Sequence, residues 1–316
     1  MIREKYEHLK DRFGLFAWEE RIRVETEVIP NKKFRTFTHN ILHFHFFIRL
    51  ALKILGFYKS ANQNYKDIKV FSNVVKIPNL PNSFDGYKIL QLTDLHVDLE
   101  AGSMIQALRK IIPSLNYDLC VLTGDYRNGV KEDNSLCIME MQEIIKLIKK
   151  PIFGTLGNHD SIQMVDELEK IGLPLLLNES HAVKKAGDSI QIIGIDDPEF
   201  FKSDDLEKAF HEIDDSTFNI LLSHSPCSYD RAIKYPVNLM LCGHTHGGQV
   251  CFFDGSPILT SSSTPRIFCQ GAWRFKKMMG YTSRGTGACK IPIRINCPAE
   301  VTIHKLVKGG IEWKEN

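Results

Sequence analysis

Three patterns of apolar and polar positions succeed one another along this chain. From Ile22 to Val28 apolar and charged residues alternate, which predicts a half-buried strand. From His39 to Tyr58 the period lengthens: Ile41, Phe44, Ile48, Leu52 and Leu55 recur every three or four residues, with His45, Arg49 and Lys53 as a narrow polar stripe, and the spacing predicts a helix. Beyond Val70, short apolar runs alternate with helical patterns and Gly/Asn/Asp turns, the rhythm of an α/β domain entered through Pro78, Pro81 and Asp85-Gly86. The organisation expected is an N-terminal extension over residues 1–69 and a domain over 70–316. No internal repeat or low-complexity segment interrupts it.

Charge changes the picture of the extension. The whole chain of 316 residues carries a formal net charge of only +2, so no global field argues for nucleic acid. Residues 28–66, however, contain Lys32, Lys33, Arg35, Arg49, Lys53, Lys59 and Lys66 and no acidic residue. Arg49 and Lys53 break the apolar run below the ~18–20 residues that a spanning helix needs. A wide apolar face with a basic stripe fits a helix lying on an anionic membrane surface, each cation contributing on the order of 1 kcal/mol; a helix docked on the protein body is the alternative. The composition, 43% hydrophobic and 25% charged, is that of a folded globular chain. The eight cysteines form no C-x-x-C pair, which argues against a zinc knuckle or disulfide framework. The first residues lack a secretory apolar stretch, so a cytoplasmic setting is expected, with a peripheral position on an inner membrane open.

The chemistry gathers where apolar runs end. Ile89–Leu92 leads into Asp94 and His96, Leu119–Leu122 into Gly124-Asp125, and Ile152-Phe153 into Gly157-Asn158-His159-Asp160. Asn219–Leu222 leads to His224, and Leu239–Cys242 to Gly243-His244-Thr245-His246. In α/β sheets ligands bind beyond the carboxyl ends of strands, so five clusters in that position can converge on one site. Asp94 and His96, like His244 and His246, are two apart and share a side of an extended chain. Gly124, Gly157 and Gly243 allow a sharp turn straight after a strand. Mixed oxygen and nitrogen donors without thiolate suit Mn²⁺, Fe²⁺ or Zn²⁺. His8, His39, His181, His211 and His304 stand alone and read as surface or core residues; Asp196-Asp197 reads as a strand-ending turn.

Asp94-x-His96, Gly124-Asp125, Gly157-Asn158-His159-Asp160, Ser223-His224 and Gly243-His244-Thr245-His246 together resemble the motif set of the calcineurin-like metallophosphoesterases. From Val70 to the C-terminus, Tyr281–Gly287, Pro292–Arg294 and Pro298–Glu300 are also similar to the closing strands of a bacterial branch of membrane-associated enzymes that includes UDP-2,3-diacylglucosamine pyrophosphatases of lipid A biosynthesis. The resemblance implies a four-layer α/β/β/α sandwich with two divalent metal ions, most simply Mn²⁺, held by Asp94, His96 and His246 on one side and Asn158, His224 and His244 on the other, with Asp125 between them. Two such ions activate water and clamp phosphoryl oxygens. His159 would then stabilise the phosphoryl oxygen or protonate the leaving oxygen. Many relatives place a second aspartate three residues after the bridging one, to orient that histidine; here Asn128 stands there, and an amide orients an imidazole without stabilising its cation. The string also lacks the Asp-Arg-Gly ending of Ser/Thr protein phosphatases.

Arg127 and Arg284 are candidates for substrate phosphate, with solvated loop arginines as the alternative. The segment from Arg266 through Trp273 to Met279 mixes aromatics, methionine and basic residues, suited to acyl chains or to a loop capping the sheet. The expected partners are a lipid-linked nucleotide substrate and an anionic membrane, not nucleic acid. A soluble general phosphodiesterase and a metal-free scaffold are the rival readings; the scaffold normally lacks ligands that are all present here. Because no motif residue precedes Val70, removal of residues 1–66 is expected to spare the chemistry.

Overall fold

The structure, a computed structural model, describes residues 2–33, 46–130, 133–260 and 262–310. Two sheets form its centre. The first joins β1 (Lys69–Ile77), β2 (Lys88–Leu92), β3 (Leu119–Thr123), β4 (Ile152–Thr155) and β11 (Glu300–Lys308) in the order β1-β11-β2-β3-β4. The second joins β5 (Glu179–Lys185), β6 (Asp188–Gly194), β7 (Phe218–Leu222), β8 (Leu239–Cys242), β9 (Gly271–Phe275) and β10 (Met278–Thr282) in the order β5-β6-β7-β8-β10-β9. The strands β2, β3 and β4 run parallel, as do β6, β7, β8 and β10. The ends that carry the chemistry therefore point the same way within each sheet.

Period-two alternation sorts the strand side chains into layers. Ile89, Leu119 and Val121 of the first sheet meet Ile190, Ile220, Leu239 and Leu241 of the second in a core between the sheets. Leu90, Leu92, Cys120 and Leu122, on the other face, pack under helices that contribute Met104, Leu108, Met141 and Leu168. Ile193, Leu221 and Met240 face outward from the second sheet, against Leu206, Ala209 and Ala232. The result is the α/β/β/α sandwich. Phe268, Trp273 and Met278 belong to this last core, so much of the aromatic segment after the Gly-His-Thr-His cluster caps the sheet.

The N-terminal segment departs from expectation. Residues Ile22 to Val28 are not a strand: a helix over Leu15–Arg23 runs into a π-helical turn over Val24–Val28. The buried positions are Ala17, Trp18, Arg21, Ile22, Val24 and Glu25, a helical spacing that a hydropathy reading misses because two members are charged. Tyr6, Leu9, Phe13, Ala17, Trp18 and Ile22 join the same core as the first sheet. Arg21 is fully buried: Nη1 donates to both carboxylate oxygens of Asp196 at 2.8 and 3.0 Å, Nε to Glu25 Oε1 at 3.1 Å, and Nη2 to the Asp160 carbonyl. Asp196 is thus more than a turn residue, and removal of residues 1–66 would strip a wall from the core.

Of the helix expected over His39–Tyr58, residues 34–45 lie outside the described ones; 46–54 are helical, and Gly56 (φ 77°) ends the run before a second helix, Tyr58–Lys66. Ile48 and Leu52 pack on Ile291 and Ile293 beside the site, while Phe46, Phe47, Leu50 and Ile54 stay exposed.

Candidate metal centre

All seven donors foreseen in the sequence converge. His96 Nε2 lies 3.2 Å from His246 Nε2 and 3.6 Å from Asp125 Oδ2, and His246 Nε2 lies 3.3 Å from Asp94 Oδ1. On the other side of Asp125, its Oδ2 is 3.4 Å from His224 Nε2, which is 2.9 Å from Asn158 Oδ1; His244 Nδ1 is 2.8 Å from that same oxygen. Asp125 stands between two groups of donors.

The backbone reaches these positions under strain. Asp94, His96, Asp125, His244 and His246 all have φ between 41° and 69°, the left-handed region that non-glycine residues avoid at a cost of order 1–3 kcal/mol each. Each follows a parallel strand and turns its side chain back across the strand ends. Gly157 and Gly243 serve by absence of bulk rather than by an unusual φ. A Cβ on Gly157 would lie 2.3 Å from Asp125 Oδ1, and one on Gly243 would lie 2.3 Å from Asp94 Oδ2. Asp160 fixes the loops from behind: its carboxylate accepts the backbone N–H groups of Asp125, Tyr126 and Gly157 at 2.8 to 2.9 Å. Burial, and then the Asp125 charge, raise its pKa to about 6.

The donor set fits cations. The Nδ1–H of His96 donates to the Arg127 carbonyl and that of His224 to the Thr123 carbonyl, both at 2.7 Å, so each presents the Nε2 lone pair inward. His244 turns Nε2 toward Glu199 Oε2 at 3.3 Å and Nδ1 inward. The Asn158 oxygen and the inward nitrogens of His224 and His244 are thus three acceptors within 3.3 Å of one another, an arrangement that a cation satisfies. The electrostatics agree. Burial pushes the His96 pKa down and those of His159 and His246 well down. Burial opposes the charge on Asp125, but His224, His159 and His96 hold its carboxyl well below the usual range. His224 differs: burial opposes its cationic form, but Asp125 raises its pKa well above the usual value, so a metal ion at its Nε2 would displace a proton that Asp125 holds there.

His159 lies beside this cluster, its Nε2 3.9 Å from Asp125 Oδ2. Its Nδ1 donates at 2.5 Å to the main-chain carbonyl of Asn128, whereas the Asn128 side-chain oxygen accepts Lys290 N at 2.8 Å. Position 128 therefore orients the imidazole through its backbone, not its amide, which corrects the expectation from sequence. Arg127 is buried and braces the same loop: Nε donates to the His159 carbonyl at 2.7 Å, Nη1 to Asn134 Oδ1 at 2.6 Å. It lines, with His159, a cavity of about 460 Å³. Arg284 is committed elsewhere, to the fully buried Glu300 at 2.7 Å and to Gln270.

Four contributors escaped the sequence reading. Glu199 faces His244 and accepts from Ser225, Ser262 and the Ser263 N–H; burial would raise its pKa, yet His244 and these donors keep it low. The fully buried Arg294 donates to the carbonyls of Gly285, Gly287 and His246, wrapping the C-terminal loop around that ligand. Lys290 and Cys289 line the cavity in front of the donors, with Cys289 Sγ 3.8 Å from His159 Nε2. Glu199 does lie four residues past the apolar run ending at Ile195, the offset of His96 from Leu92, but its Asp-Asp-Pro-Glu string reads as a turn; Cys289 and Lys290 follow no such run.

A family model described as calcineurin-like phosphoesterase matches residues 87–248, which hold every donor named above. The chain is 31% identical over 253 residues to the uncharacterised metallophosphoesterase YkuE of Bacillus subtilis, covering 76% of this chain and 85% of that one. It is 28% identical over 241 residues to the phosphodiesterase YaeI of Escherichia coli, 70% of this chain and 82% of that one. It is also 28% identical, over 74% of its length and 56% of the other's, to a transmembrane protein with metallophosphoesterase domain from Danio rerio. The chain belongs to the calcineurin-like phosphoesterase family and is a phosphoester hydrolase. Members bind divalent metals, and the His/Asp cluster supplies donors for them.

When bound, two divalent ions would supply a polarised water and neutralise phosphoryl charge. The chain's own part is orientation and proton handling. Asp125, fixed by the His159 N–H at 2.8 Å on Oδ1, keeps Oδ2 for the cluster. His159, tied through its Nδ1–H to the Asn128 carbonyl, is held as the tautomer whose Nε2 is a proton acceptor.

Proposed function

We propose that this chain hydrolyses a phosphodiester or pyrophosphate bond in an amphiphilic substrate at a membrane surface, with Asp94, His96 and His246 holding one ion, Asn158, His224 and His244 a second, and Asp125 shared. One observation carries this reading. The donors open into a cavity of about 720 Å³ whose far walls are Ile48, Leu52, Val250, Ile258, Leu259, Ile291, Ile293 and Ile295, with Lys290 as its cation. A phosphate needs no such walls; an acyl chain does. Mn²⁺ is the metal proposed, with Fe²⁺ or Zn²⁺ suited by the same donors. UDP-2,3-diacylglucosamine, a lipid A precursor with a pyrophosphate beside two acyl chains, is the most specific candidate. Among the described residues no helix is long and apolar enough to cross a membrane, so a peripheral position fits.

A second reading, hydrolysis of soluble diesters, is favoured by the name of the Escherichia coli relative, a phosphodiesterase. Purified chain with Mn²⁺, offered UDP-2,3-diacylglucosamine in detergent, bis-p-nitrophenyl phosphate and a nucleoside monophosphate, separates the two. Fastest turnover of the lipid supports the first reading. Faster turnover of the small diester overturns it in favour of the second.

A further inference from the structure

Two exposed apolar ridges stand on elements that wall the cavity. One is the helix of residues 46–54 and the turn after it. Its inner face, Ile48 and Leu52, walls the cavity, while Phe46, Phe47, Leu50 and Ile54 lie on the opposite side, all exposed and Ile54 to 76%. At 100° per residue these four occupy one side of the helix surface, and Arg49 and Lys53 flank them. Both cations lie over the Tyr58 ring, at 5.3 and 5.4 Å.

The second ridge is a hairpin. Cys251 pairs with Pro257 across an antiparallel bridge, and the Phe252 N–H donates to the Ser256 carbonyl at 2.9 Å. Its tip presents Phe253, which is 100% exposed, beside a half-exposed Phe252; Asp254 at the same tip accepts the Ser256 N–H and hydroxyl. The hairpin's base, Val250 and Ile258, walls the same cavity as Ile48 and Leu52. Both walls of the cavity thus belong to elements that carry exposed phenylalanine, leucine and isoleucine on their outer sides.

We infer that the 251–257 hairpin and the 46–54 helix with the turn after it form one surface that inserts into an anionic lipid bilayer, with the cavity mouth between them facing the acyl region. The inference rests on the amphiphilic-substrate reading and adds the route by which substrate arrives. Two features select a bilayer as the occupant. The described residues 46–66 contain no acid and carry Arg49, Lys53 and Lys59, complementary to anionic headgroups, while Lys66 is paired with Glu100 at 2.7 Å. A second copy seated on both ridges would close the mouth of the catalytic cavity, whereas a bilayer surface leaves it open to lipid. An aromatic helix flanked by cations has the composition of an interfacial anchor, and the hairpin adds an aromatic tip whose one charge, Asp254, is tied to Ser256.

The test uses the full chain with Phe253→Trp, read as the difference from wild-type emission. Vesicles of phosphatidylglycerol and phosphatidylcholine should shift the new emission to the blue and allow its quenching by doxyl-labelled lipid; pure phosphatidylcholine should do so more weakly. The double variant Phe253→Ser with Ile54→Ser should bind anionic vesicles about tenfold or more weakly, with turnover of a soluble diester unchanged. Emission insensitive to vesicles overturns the inference, as does wild-type vesicle binding by the double variant. Sedimentation showing a dimer that already buries the introduced indole without lipid overturns it too. Vesicle binding as described with no turnover of any lipid-linked substrate would sink the substrate reading alone; lipid turnover in detergent without vesicle binding would sink this inference alone.

Discussion

Replacing Arg21 by methionine isolates the contact that ties the N-terminal helices to the catalytic loops. Its guanidinium has no exposure; it holds Asp196 through two hydrogen bonds of 2.8 and 3.0 Å, Glu25 through one of 3.1 Å, and the Asp160 carbonyl, and it stacks 3.6 Å from the Phe201 ring centroid. Methionine fills similar volume and keeps the stacking surface, so the cavity term is small. What remains is a fully buried Asp196 carboxylate and a nearly buried Glu25 without their cation. Breaking a buried pair from one side costs about 3–5 kcal/mol, and at about 1.5 °C per kcal/mol for a chain of 316 residues the melting temperature should fall by about 4–8 °C. Circular dichroism of wild type and variant measures it. Arg21→Met with Asp196→Asn should recover a substantial part, because the stranded charge is gone. A single variant that melts within about 2 °C of wild type would refute the reasoning and leave the apolar packing of residues 6–22 as what ties this segment to the core.

Gly157→Ala should abolish turnover and metal retention, since the new Cβ would lie 2.3 Å from Asp125 Oδ1; retained turnover above a tenth of wild type counts against the packing described. Glu199→Gln removes the carboxylate facing His244 Nε2 and should weaken metal binding by about 10–100-fold, as read by titrating metal-free protein with a fluorescent chelator in competition. His304 is fully buried between Gln91 and Asn73, and burial lowers its pKa to about 3. The unfolded chain takes up this proton near pH 6.5 and the folded chain does not, so stability is lost as pH falls from about 6.5 toward 3, by about 2 kcal/mol at pH 5. His304→Gln, which keeps a donor and an acceptor, should flatten the pH dependence of denaturant midpoints over that window; parallel curves would contradict the assignment.

What the sequence could and could not convey follows from the range of the interactions. The ends of β2, β3, β4, β7 and β8 were legible because an apolar run stopping at Asp, His or Asn is a local signal. Two-residue spacing on an extended chain was the wrong ground for pairing Asp94 with His96 and His244 with His246: all four residues have positive φ, and His246 joins Asp94 and His96 while the His244 ring joins Asn158 and His224. The positive φ of five donors was not legible, since the strain is imposed by packing between loops distant in sequence. Arg21 and Glu25 misled for the opposite reason: charge in a helix reads as exposure until the partners, Asp196 and the backbone at Ile162, are folded against it. Asn128 shows the limit for a single site residue, because its side chain was weighed and its carbonyl does the orienting. Glu199 reaches His244 from a loop whose Asp-Asp-Pro-Glu string reads as a turn.

The central claim is a pair of cations held around Asp125. Metal-free protein titrated with Mn²⁺, with bound metal counted per chain while turnover of bis-p-nitrophenyl phosphate is followed in the same samples, tests it most directly. The account predicts two ions per chain, turnover that reaches its plateau only as the second binds, and loss of both stoichiometry and turnover in Asp125→Asn. Full turnover at one ion per chain, or a wild-type stoichiometry in Asp125→Asn, would contradict it.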